Sequence, residues 1–147
     1  MADNRTVVDQ YLEAMVMNDV EAQERLISDD IVEEYPQSGE VIRGKANRRA
    51  IIENYPGGTP KETSRENSSA WVPVIIGAGD RFAVAGRITY PNGETWHALS
   101  LIEVHDGKIT KITDYFAAPF EAPAWREPYV EKAAAEARSR CRAAPTR

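Results

Sequence analysis

The feature that most restricts this chain is a change of period. Up to about residue 55 the apolar side chains recur at helical spacing, and beyond Pro56-Gly57-Gly58 they alternate. Two pairs, Asn92-Gly93 and Asp106-Gly107, punctuate the alternating half. Such pairs tolerate the positive φ angles of tight hairpins. Arg81–Tyr90, Glu94–His105 and Lys108–Ala117 are therefore predicted to form an antiparallel meander, with Ser69–Ile76 as a further strand. Helices first and a meander after them give an α+β fold.

The helical half divides at its own signals. Val8, Tyr11, Leu12, Met15 and Val16 form one apolar face over residues 5–17. Asn18-Asp19 interrupts it, and Asp19 is placed to cap a short second helix over about 20–28. Asp29-Asp30 is expected to end that helix, and Ile31–Pro36 reads as a strand with Glu40–Arg43 paired back on it. Gly44 then opens a third helix, expected to bury Ala46, Ala50, Ile51 and Ile52 and to stop at Pro56. A strongly bent sheet closed on one side by three helices leaves a cone, and a cone is a ligand cavity. Residues 1–122 are expected to form this single domain. Residues 123–147 are expected to form a C-terminal helical extension on or beside the cone mouth, with Trp125 and Tyr129 plugging the mouth or packing outside the sheet.

Length and charge limit the function. At 147 residues the chain can bury a real core without disulfides or a metal. A net charge of −5 argues against a nucleic-acid partner. Cys141 is the single cysteine, and His97 and His105 form no ligand cluster, so neither disulfide nor metal is expected. There is no Gly-rich phosphate loop, hence no expected nucleotide cofactor, and no signal peptide or membrane span is read. A cytosolic protein is the resulting expectation.

Several segments resemble a known family. Tyr11-Leu12-Glu13, Asp19-Val20-Glu21-Ala22, Asp29-Asp30, Val32-Glu33-Glu34, Pro36 and Ile42-Arg43-Gly44 are similar to the N-terminal half of ketosteroid isomerases and SnoaL-like polyketide cyclases. Asp106-Gly107-Lys108-Ile109 and Asp114-Tyr115-Phe116 resemble their final hairpin. The resemblance implies the cone-shaped fold of the nuclear-transport-factor-2 (NTF2)-like superfamily. That fold hosts isomerases, cyclases, epoxide hydrolases and plain binding proteins. Tyr11 matches the tyrosine that donates to the oxyanion in ketosteroid isomerases. The base position before the proline holds Tyr35, however, and Ser100 replaces the protonated aspartate. Arg87 and Asp114 match two of three epoxide-hydrolase positions, Thr89 taking the third. In the cyclases an acidic residue near the end of the sheet is the general acid or base, a role open to Asp114.

The family register turns Asp114 inward with Thr110, Ile112 and Phe116, although Ile109 and Ile112 differ in parity, which calls for a bulge. The same register turns Glu33 and Tyr35 inward, whereas apolarity alone favours Val32. Asp114, Tyr11, Tyr35 and Glu33 are the candidate catalytic groups, with Glu33 and Asp114 a potential carboxylate pair. Met15, Trp71, Arg87, Trp96, Ser100, Ile112 and Phe116 are the candidate pocket residues. Asp114 is alternatively a structural carboxylate hydrogen-bonded to Tyr or Arg, or one turned outward by the bulge, and Arg87 either its counter-ion or an exposed edge residue. His97, Leu99 and Leu101 fall on the convex face, which suggests a homodimer through that surface. Three functions stay open: a cofactor-free acid/base enzyme acting on a small, largely apolar oxygenated molecule, a non-catalytic carrier of one, or an interaction module whose cone is filled by its own side chains.

Overall fold

The computed structural model describes residues 3–58, 61–62 and 73–132. Three helices come first: α1 (Asn4–Val16), α2 (Val20–Leu26) and α3 (Lys45–Glu53). Between α2 and α3 lie strands β1 (Ile27–Tyr35) and β2 (Glu40–Arg43). After them come β3 (Lys61–Glu62), β4 (Val74–Ala78), β5 (Arg81–Thr89), β6 (Thr95–His105) and β7 (Lys108–Ala117). All seven strands join one curved sheet in the order β2-β1-β7-β6-β5-β3, with β4 also on β5. The expected α+β cone and its β5-β6-β7 meander are present. Its closure is a long-range event: β1 pairs parallel to β7.

Local chemistry explains the turns. Asp106 and Gly107 both take positive φ, 51° and 72°, as a two-residue hairpin requires. At the other hairpin only Gly93 does so. Tyr90 and Glu94 close a three-residue loop there, and Asn92 Oδ1 accepts from the Glu94 amide at 3.0 Å. Asp19 caps α2 as expected, accepting from the Ala22 amide at 2.8 Å.

Two boundary expectations fail. Asp29-Asp30 does not end α2 but lies within β1, which starts at Ile27. Ile27 is fully buried and begins the strand's inward face. Helix α3 also turns a different face inward. Ala46, Ala50 and Ile51 are exposed, Ile52 is half-buried, and the helix's buried residue is Arg48.

The core is a stack of inward-facing side chains from α1 and the sheet: Val7, Val8, Tyr11 and Leu12 against Ile27, Ile31, Phe82, Val84, Ile102, Val104, Ile109 and Ile112. The parity conflict between Ile109 and Ile112 is resolved by the anticipated bulge. Val104 faces Ile109 and Glu103 faces Lys111, so Thr110 is the extra residue. Both isoleucines then point inward, and Asp114 keeps its inward direction. The C-terminal segment differs from expectation. Its described part is a short 3-10 helix, Ala124–Tyr129, with Trp125 and Tyr129 exposed and neither plugging the mouth nor packing on the sheet. Trp71 and the Ala-rich helix expected to about residue 142 lie outside the described residues. No helix among those described is long and apolar enough to cross a membrane.

The bulge makes a quantitative claim. Ile109→Ala and Ile112→Ala are each expected to lose about 2–5 kcal/mol in chemical denaturation. An unbulged strand would spare one of the two.

Candidate functional site

A cavity opens between α1 and the concave face of the sheet. It is lined by Tyr11, Leu12 and Met15 of α1, by Glu33 and Arg48, and by sheet residues that include Val84, Ser100, Ile102, Ile112 and Asp114. Its volume is about 50 Å³. A water-sized probe needs about 10–15 Å³ of such space, so there is room for a few heavy atoms.

Strand register explains why these polar groups meet. Glu33 faces Ile112, which faces Ile102, which faces Phe82. Along this buried row Glu33 is the only charged group. One step further along the sheet, Asp114 faces Ser100, which faces Val84. Tyr35 lies in line with Asp114, one residue past the last β1–β7 pair. The register conflict at Glu33 and Glu34 is thereby settled in favour of Glu33, which is buried with Ile31.

Helix α3 supplies the group that makes a buried Glu33 tolerable. Gly44, at φ 81°, precedes the helix in a conformation that disfavours other residues, and its amide donates to Ile31 of β1 at 2.8 Å. One turn on, Arg48 is 6% exposed. Its Nε donates to Glu33 Oε2 at 3.1 Å, and its Nη2 donates to the Tyr11 hydroxyl at 2.8 Å and to Gln23 Oε1 at 2.9 Å. The guanidinium also lies 5.7 Å from the Tyr11 ring centroid. The other Glu33 oxygen accepts from the Tyr35 hydroxyl at 2.9 Å. Gln23 completes the set, donating to the Ala14 carbonyl at 3.4 Å. One guanidinium thus ties α1, α2, α3 and β1 together.

The charges here shift proton affinities in opposite directions. Burial pushes the Tyr35 phenol up, and the adjacent Glu33 charge, its hydrogen bond and the charge of Asp114 push it further, well above the usual tyrosine range. Burial alone would pull the Arg48 guanidinium down. Tyr11 and Glu33 beside it outweigh that, and it stands above its ordinary value. Ser100 donates to Asp114 Oδ1 in a short hydrogen bond.

The candidate residues therefore separate. Tyr11, Glu33, Asp114, Met15, Ser100 and Ile112 line one cavity, while Tyr35 touches it through Glu33. Glu33 and Asp114 share the cavity, but the partner of Glu33 is Arg48 rather than a second carboxylate. Phe116 packs edge-on against Tyr35, with ring centroids 5.5 Å apart, and does not line the cavity. Trp96 shares the concave face but packs on Tyr90, at 5.1 Å, outside the lining. Arg87 pairs with His97 on the opposite face from Ser100 and Asp114. It is buried there, so it is neither a pocket residue nor exposed. Arg48 and Gln23 were not anticipated. Arg48 stands in the polar run Lys45-Ala46-Asn47-Arg48-Arg49, which reads as a solvated face. The available signal was indirect: a buried Glu33 needs a cation, and helix α3 follows closely.

With this geometry in place the comparisons with known proteins are decisive for kinship. Residues 8–112 match the model of the SnoaL-like domain. The chain belongs to the SnoaL-like domain family. An NTF2-like protein of unknown function from Burkholderia xenovorans LB400 is 31% identical, with a TM-score of 0.71 over 88% of this chain and 94% of that one. A candidate ketosteroid isomerase from Kribbella flavida DSM 17836 is 26% identical, with a TM-score of 0.73 over 90% and 91%. TerC, co-crystallised with polyporic acid, shares the fold at 21% identity, with a TM-score of 0.63 over 78% of this SnoaL-like chain and 92% of TerC. No curated protein matches the sequence.

Two outcomes follow for this SnoaL-like chain. Arg48→Ala leaves Glu33 buried without its cation and is expected to cost about 3–5 kcal/mol. Arg49→Ala removes only partly exposed pairs with Glu21, Glu24 and Glu53 and is expected to cost at most about 1 kcal/mol. Urea denaturation compares them. Because the folded state raises the Tyr35 pKa, the contribution of Tyr35 is full below about pH 10 and falls as pH rises above that value. Tyr35→Phe is expected to flatten this alkaline loss of stability, measured as the denaturation midpoint from pH 8 to 11.

Proposed function

We propose that the cavity binds a small, largely apolar molecule carrying one or two oxygens, and that Asp114 exchanges a proton with it. The observation that supports this is the place of Asp114 in a largely apolar cavity whose other carboxylate, Glu33, is paired with Arg48. Glu33 has both oxygens committed, one to Tyr35 and one to Arg48. Asp114 lines the same cavity, accepts from Ser100 and lies in a wall that includes the apolar side chains of Val84, Ile102, Ile112 and Met15. Such a carboxylate suits cofactor-free acid/base chemistry, with Tyr11 or Tyr35 polarising a carbonyl or epoxide oxygen. The small volume implies that the reacting end of the ligand enters while the remainder stays toward the mouth. The likeness to a candidate ketosteroid isomerase supports an oxygenated apolar ligand class. It does not extend to that reaction, since Tyr35 and Ser100 occupy two of its positions.

A specific surface favours a second property, a homodimer. On the convex face Ile76 pairs with Ala83, which pairs with Leu101, and Val74 pairs with Ala85, which pairs with Leu99, which pairs with Tyr115. Val74, Ile76, Leu99, Leu101 and Tyr115 are all exposed. Two such rows form a contiguous apolar face of the kind that marks an interface. An isologous pairing of two copies covers it.

Thermal-shift screening tests the first proposal with steroids, terpene epoxides, aromatic polyketides and fatty acids. A ligand at a hundred times its Kd adds about 2.7 kcal/mol of stability, or a few degrees for a domain of this size. The stabilisation is expected to fade in Asp114→Asn. Loss of binding without any turnover in the wild type would make the protein a carrier, and no stabilisation across the panel would overturn the site. For the dimer, sedimentation is expected to give twice the 16.4 kDa chain mass, and Leu99→Glu with Leu101→Glu to return the monomer.

A further inference from the structure

The segment after β7 carries the most exposed aromatic side chains among the described residues. Phe120 is 80%, Trp125 71% and Tyr129 82% exposed. From Ala118 to Lys132 every residue is exposed except half-buried Pro123. Yet the segment has a defined shape. Pro119, Pro123 and Pro128 restrict φ at three points, and the Arg126 amide donates to the Pro123 carbonyl at 3.1 Å where the 3-10 helix begins. The Arg126 guanidinium lies 5.4 Å from the Trp125 ring centroid. A restrained chain with bare aromatics suits an interface. It has less freedom to lose on docking, and Trp and Tyr are common anchors.

Area indicates what these side chains meet. A standard interface takes about 800 Å² from each partner, roughly 450–500 Å² of it apolar. On the convex sheet face Val74, Ile76, Leu99, Leu101 and Tyr115 are between 39% and 68% exposed. An aliphatic side chain offers about 60–120 Å² in full, so this face supplies roughly 200–300 Å² per copy. An aromatic side chain offers about 150–250 Å², so Phe120, Trp125 and Tyr129 add roughly 350–600 Å². The sheet face falls short by itself, and the two surfaces together reach what a stable dimer needs. They are also neighbours. Ala117 ends the convex side of β7 opposite His97, and Phe120, three residues on, is at most about 11 Å from it.

We propose that residues 119–130 form an arm that lies on the second copy in the homodimer, with Phe120, Trp125 and Tyr129 covering the edge of the partner's convex sheet face. This rests on the homodimer reading of that face. The exchange is reciprocal, since an isologous pairing gives each copy one arm and one surface that receives it.

Sedimentation equilibrium of the full chain tests this with wild type, with Trp125→Ser plus Tyr129→Ser, and with Leu99→Glu plus Leu101→Glu. The arm variant is expected to raise the dimer Kd at least about thirtyfold, the loss of one anchoring aromatic. No residue of the 3-10 helix is buried, so its circular dichroism and the denaturation midpoint of the dilute monomer stay as in wild type. With Trp125 replaced by p-benzoylphenylalanine, irradiation is expected to give a band of twice the chain mass, cross-linked to a peptide holding residues 74–76 or 99–101. A dimer whose Kd is unchanged in the arm variant, or an arm that cross-links only within its own chain, overturns the arm and leaves the sheet-face dimer standing. A dimer lost in the arm variant but indifferent to Leu99→Glu plus Leu101→Glu forms on another face, which also overturns the proposal. A wild type that is monomeric throughout refutes the dimer itself, and the arm with it.

Discussion

The site depends on one buried contact, the 3.1 Å ion pair between Arg48 and Glu33. Both side chains are almost wholly removed from water, and an isolated charge at either position would be untenable. The pair is tolerated because every neighbouring polar group takes part. Tyr35 donates to the second Glu33 oxygen, and Tyr11 and Gln23 accept from the arginine. This fixes the distance between α3 and β1 and the depth of α1 over the sheet. Glu33 thereby belongs to the scaffold, while Asp114 lines the same cavity.

Around that contact the cone is apolar. Fully buried Ile27, Ile102 and Ile109 come from three strands, and Val8 faces them from α1. They supply the hydrophobic stabilisation that allows a charged cluster to be buried at all. The bulge at Thr110 serves the same end. By adding one residue to β7 it lets Ile109 and Ile112 both reach the core while Asp114 and Ser100 stay on the concave face. Without it, one of these demands on a strand of strict alternation fails. The convex side has an opposite character, with exposed leucines and no described element over them.

Much of this was legible in the sequence, for local reasons. Asp106-Gly107 and Asn92-Gly93 set the meander because their backbone preferences are properties of the residues themselves. The inward direction of Asp114 and Glu33 followed from the family register, whereas the bulge expected near Ile109 left open an outward Asp114, which the observed pairing excludes. What was not legible was set by distant partners. Asp29-Asp30 looks like a helix stop, yet β1 begins before it because Ile27 pairs with Ile109. Arg48 looks like a solvated residue, since its burial depends on Glu33, Tyr11 and Gln23 arriving from three other elements. Arg87 matched a family motif by position, but strand parity carries it to the far face. Trp96 and Phe116 are on the predicted face, yet they pack on Tyr90 and Tyr35 rather than on the cavity.

The most direct measurement of the central contact is hydrogen exchange at the arginine Nε–H groups, followed by ¹⁵N NMR. With Nε bonded to Glu33 and nearly all of the side chain out of water, Arg48 is expected to give a protected, slowly exchanging Nε–H at neutral pH. That protection should disappear in Glu33→Gln. An Arg48 Nε–H that exchanges as fast as those of exposed arginines such as Arg5 would contradict the buried pair, and with it the proposal that Asp114 rather than Glu33 is the reacting carboxylate.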